Sequence, residues 1–85
     1  MILVESIKHI KEHTLHVKFN DGVEGVADLS DVDWKGMFQP LSNPEFFRYV
    51  ALEYGAPTWP NGVDMAPEFF YHKVTGTYPD ESVVE

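Results

Sequence analysis

Eighty-five residues of 9.7 kDa suffice for one small domain and exclude a multi-domain enzyme. Six basic against fourteen acidic residues give a formal charge of −8, which repels the phosphates a nucleic-acid binder must track. Hydrophobic residues at 44% and aromatics at 14% supply a core and exclude whole-chain disorder, while no run of about 18 apolar residues predicts a bilayer-spanning helix.

Residues 2–10 read as a strand, with Ile2, Val4, Ile7 and Ile10 as its apolar and β-branched positions. The same opening lacks the basic start, long apolar stretch and cleavage site of a secretory leader, so a cytoplasmic protein is expected. Residues 14–19 alternate, with Leu15, Val17 and Phe19 on one face and Thr14, His16 and Lys18 on the other, as a half-buried strand does. Asn20-Asp21-Gly22 signals a tight turn, and residues 23–29 return as a third strand of an antiparallel meander.

Two helix starts follow. Ser30 with Asp33 forms a reciprocal capping box, and Leu29 is placed to staple onto Trp34; Gly36 is expected to stop this helix early. Ser42 with Glu45 repeats the box, and Leu41 with Phe46 the staple; this helix runs to about Tyr49, with Pro44 in its first turn. Residues 50–54 read as a strand, Gly55-Ala56-Pro57 as its turn, and Thr58-Trp59 as its partner, ended by Pro60. Asn61-Gly62 turns again. Residues 67–75 form a last helix with Phe70 and Val74 on one face and Gly76 as its cap, and residues 77–85 form an acidic tail. The predicted fold is α+β: a small antiparallel sheet, made of a three-strand meander plus a second strand pair, with two to three short helices on one face. Residues 1–76 make the single domain.

Several of these pieces, in this order, resemble the bacterial family named domain of unknown function 2442. They are the W-P-N-G-x-D-x-x-P stretch from Trp59 to Pro67 with its aromatic helix, the F-N-D-G turn at Phe19–Gly22, and the Asp28-Leu29 pair. The resemblance covers residues 2–72. It implies a small α+β domain whose role is not established, and members that are often partners of another small protein encoded beside them, as in toxin–antitoxin pairs. It implies no catalytic residue.

Three constellations carry candidate chemistry. The first is Trp59 to Asp64. As a recognition loop, Trp59 is an aromatic anchor and Asn61 and Asp64 a hydrogen-bonding rim. As structure, Trp59 packs in the core, Asn61-Gly62 supplies left-handed backbone, and Asp64 accepts N–H bonds at the entrance to the last helix. The second is the histidines. If Glu12-His13 is a two-residue turn, His9 and His16 face each other and can share a metal with Glu5 or Glu24; the alternative is solvated imidazoles on a polar sheet face. The third is the run of acids Asp21, Glu24, Asp28, Asp31 and Asp33, which brings −5 to residues 20–34. Asp28, Asp31 and Asp33 suggest a cation site but lack the glycine and distal glutamate of an EF-hand loop, and acids in a first helical turn answer to its dipole.

Cysteine is absent, which excludes disulfides, thiolate catalysis and thiolate metal sites. No nucleophile elbow or phosphate loop is present, so an enzyme is not expected and no cofactor is implied. The leading expectation is a non-catalytic protein-interaction module, antitoxin-like or an adaptor. Its partner is a small basic protein, with no direct nucleic acid and no membrane. Its interface uses Glu24, Asp28, Asp31 and Asp33, or Trp59, Asn61 and Asp64. A small-molecule or metal-binding domain with hydrolytic activity is the alternative. A monomer or weak homodimer, pairing through an exposed edge strand, is expected.

Overall fold

The computed structural model describes residues 1–79. Three strands form an antiparallel sheet in the order β1-β2-β3: β1 Val4–Lys11, β2 Thr14–Phe19 and β3 Glu24–Asp28. A 3-10 turn of helix follows at Gly36–Ser42, then a short helix α1 at Pro44–Phe47. Strands β4 Ala51–Glu53 and β5 Ala56–Thr58 form a separate two-stranded sheet, and helix α2 Pro67–Thr75 comes last. This is the expected small α+β architecture.

The alternation of β2 determines the layering. Leu15, Val17 and Phe19 are fully buried. Across the ladder, Leu15 faces Ala27 and Val17 faces Gly25, so the inner face of the sheet is set by residues of both strands. Helix α2 lies on this face and turns Phe70 into the core. Gly25 is where it comes nearest: a Cβ there would lie 2.8 Å from Cγ1 of Val74. The other end of the inner face is closed by aromatic rings. Phe47 sits at their centre, with the rings of His13, Trp59 and Trp34 at 4.7, 5.5 and 5.9 Å between centroids. The β4–β5 hairpin is tied to the start of β1 by the Val4 N–H, which donates to the Gly55 carbonyl at 2.8 Å.

Helix α2 matches the sequence reading. Gly76 caps it in the left-handed region at φ 86°, and its N–H donates to the His72 carbonyl at 2.8 Å. Elsewhere local hydrogen bonding overrides the expected caps. No helix forms over residues 30–35. Asp28, rather than Ser30, acts there: its Oδ1 accepts the Ser30 N–H at 2.9 Å, and the Val32 N–H closes a turn on the Leu29 carbonyl at 3.1 Å. Gly36 begins the 3-10 segment instead of ending a helix. At α1 the cap is Asn43, whose Oδ1 accepts the Glu45 N–H at 3.0 Å, while the Ser42 hydroxyl donates to the Gln39 carbonyl at 2.7 Å.

The β4–β5 turn also differs. It is Tyr54-Gly55, both at positive φ (52° and 79°), as a type I′ hairpin requires. Ala56 and Pro57 therefore belong to the strand, with Pro57 opposite Leu52. Of the expected tail, Thr77 is bonded to Thr75 and Tyr78 stacks on His72 with ring centroids 4.2 Å apart. Residues 80–85 lie outside the described residues. No helix among the described residues is long and apolar enough to cross a membrane.

Candidate functional site

The acidic run is engaged within the molecule. Asp21 accepts the Val23 N–H at 3.0 Å and the Tyr71 hydroxyl at 2.8 Å; these two bonds, in that order, hold its carboxyl below the usual value of 3.8. Asp28 is lowered chiefly by the Ser30 N–H and next by the Ser30 hydroxyl. Asp31 is lowered first by its hydrogen bond from the Lys73 ammonium, at 2.6 Å. Glu24 lies 3.3 Å from the His16 imidazole, and Asp33 lies 3.1 Å from the Lys35 ammonium. All five acids thus have partners. Two of them, Asp21 and Asp31, fasten the last helix to the turns that flank β3.

The histidines are separated by one inserted residue. Glu12-His13 does connect Lys11 to the opposing Thr14, but Ile10 bulges out of β1, so His9 falls opposite Leu15 and His16 opposite Lys8. His9 shares the inner face, where its Nε2 contacts the Glu12 carbonyl at 2.8 Å. His16 lies on the outer face beside Glu24. His13 is a structural group: its Nε2 contacts the Leu41 carbonyl at 2.8 Å and ties the first hairpin to the 3-10 segment. Among the described residues no three histidine or carboxylate side chains gather as a metal site requires.

The loop after β5 joins both earlier readings. Trp59 is only 2% exposed, and its indole N–H donates to the Phe47 carbonyl at 2.8 Å, so its ring anchors the core. Asn61 Oδ1 accepts the Val63 N–H at 3.2 Å, and Gly62, at φ 87°, donates to the Trp59 carbonyl at 2.9 Å. Asp64 does not cap α2. It pairs with Thr58 in a single bridge, and the N-cap position is Ala66, with no side-chain bond. What the loop presents outward is its tip, Pro60 to Gly62, and then Asp64.

Apolar groups that single-sequence reading did not mark lie beside that tip. The Asn61 amide reaches the Met37 carbonyl at 3.5 Å, and Met37 and Phe38 are 72% and 37% exposed. On the other side, Tyr49 (58% exposed) and Pro60 line a concavity of about 370 Å³ on the β4–β5 hairpin. A second concavity, of about 410 Å³, is lined by Asn20, Asp21 and Tyr71; its carboxylate is the one already engaged by Val23 and Tyr71. The surface around the Trp59 loop therefore combines a buried, hydrogen-bonded base, exposed apolar side chains and a groove. Exposed apolar groups beside a groove are the physical ingredients of a binding surface.

Over residues 4–76 the sequence matches the family model described as Protein of unknown function (DUF2442). The chain belongs to that family. No curated protein and no solved structure matches this DUF2442 chain. The family match includes all five strands, both helices and the Trp59 loop, so the candidate surface lies wholly within the DUF2442 domain.

Proposed function

We propose that this chain is a non-catalytic protein-interaction module, an antitoxin-like or adaptor partner of another small, basic protein. One observation carries the reading: Met37 and Phe38 stand exposed on the 3-10 segment that the Asn61 amide of the Trp59–Val63 loop reaches, on an otherwise acidic molecule. Large apolar side chains in water are normal singly, but two consecutive ones on the 3-10 segment, beside a hydrogen-bonded loop, supply apolar area of the kind a protein interface uses. The net charge of −8 favours a cationic partner and disfavours phosphate backbones.

The test is co-expression with small basic proteins encoded beside this one, followed by light scattering of the purified material. A stoichiometric complex is expected. Met37→Ser combined with Phe38→Ser weakens it at least tenfold while the thermal midpoint of the free chain stays within a few degrees. A monomer mass in every mixture refutes the reading.

A further inference from the structure

We propose that the concavity on the outer face of the β4–β5 hairpin receives an extended segment of the protein partner bearing arginine or lysine, a reading that rests on the interaction role above and assigns it a docking groove. Strand pairing defines the groove. Ala51 lies opposite Thr58, and Thr58 bridges to Asp64, so these three form one row across the outer face. Glu53, two residues beyond Ala51, points to the same side. Tyr49 and the Trp59-Pro60 step wall the row, and the enclosed volume, about 370 Å³, is in the range of sites that take a side chain or small ligand.

Charge decides the occupant. Glu53 and Asp64 have no ion pair and no side-chain hydrogen bond among the described residues, in contrast to all five acids between residues 20 and 34. The groove thus offers a mixed lining, apolar at Ala51, Leu52, Tyr49 and Pro60, with an uncommitted carboxylate at Glu53; Asp64, next to Thr58 on the same row, supplies a second just outside the lining. Arginine and lysine match that layout, because their methylene stems cover apolar surface while their heads stay with the anion. Tyr49 adds a ring face. Arg48 already lies 5.5 Å from that ring's centroid, and its charge is balanced by Glu45 at 3.4 Å, so it does not neutralise Glu53. A neutral segment gains only the apolar contacts, and an acidic one is repelled by the carboxylate as well.

The test is an NMR titration of the whole chain with an amide-blocked hexapeptide of alternating arginine and leucine. Saturable shifts are expected at residues 49–53 and 58–62, and binding weakens as salt is raised. Glu53→Gln and Asp64→Asn, both exposed positions, each weaken binding at least threefold and together at least tenfold, with unchanged thermal midpoints. A peptide with glutamate in place of arginine does not bind. No saturation up to millimolar peptide, shifts confined to residues 21–33, or equal affinity for the double variant overturns the groove. Spermidine giving the same saturable shifts assigns the groove to a free polyamine and overturns the peptide segment. If the co-expressed complex is insensitive to Glu53→Gln with Asp64→Asn yet dissolves with Met37→Ser and Phe38→Ser, the groove fails and the interaction role stands.

Discussion

Trp59 fills the core with its ring and satisfies a buried carbonyl with its N–H. Replacing it with phenylalanine keeps most of the apolar volume and leaves the Phe47 carbonyl without that donor. Trp59→Phe is expected to lower unfolding free energy by about 1–3 kcal/mol, read from urea denaturation. A smaller loss would mean that water reaches the carbonyl. Tyr54 presents the opposite case. The residue is 98% exposed, so it gains almost nothing from packing, yet its backbone is held at φ 52°. Left-handed backbone costs an ordinary residue roughly 1–2 kcal/mol, and asparagine tolerates it better in a type I′ turn. Tyr54→Asn is therefore expected to stabilise the fold by about 1 kcal/mol, with the thermal midpoint rising.

At the scale of elements, the join between α2 and β3 depends on Gly25 having no side chain. Gly25→Ala puts a methyl 2.8 Å from a valine methyl on a stiff rotamer, and a loss of about 1–3 kcal/mol is expected. Val74→Ala in the same chain should recover part of it, and a double-mutant cycle by urea denaturation measures the coupling. Elements with a strong internal pattern were legible in the sequence. The strict alternation of Leu15, Val17 and Phe19 and the Gly76 cap are local signals that the tertiary structure uses unchanged. Signals that compete locally were not. Ser30 and Ser42 each had a neighbour able to take the capping role, Asp28 by binding the Ser30 N–H and Asn43 by binding the Glu45 N–H. The bulge at Ile10 leaves no mark in residue order, and it alone moves His9 away from His16. The apolar surface was hidden for another reason: Met37-Phe38 and Tyr49 come from two separate segments, and only the fold brings these to either side of the Trp59 loop.

Across the whole molecule, the charge of −8 divides into acids that hold the fold together and acids that do not. The depressed carboxyls of Asp21, Asp28 and Asp31 belong to the first kind. Because their folded-state values lie below 3.8, their contribution is complete above that pH and is lost as pH falls through the depressed values. Asp31→Asn is expected to lower stability near neutrality and to narrow its gap to the wild type on acidification below 3.8, measured by denaturant midpoints at both ends. A gap independent of pH would show that Lys73 gains nothing from the ionised carboxylate. The same geometry sets an order for synthesis on the ribosome. The three paired strands emerge by residue 28, but the helix that covers their inner face is complete only at Thr75. At about 5–20 residues per second the apolar face waits several seconds for its cover. A chain interrupted before Pro67 therefore lacks the cover of that apolar face and is expected to be a target for chaperones and proteases.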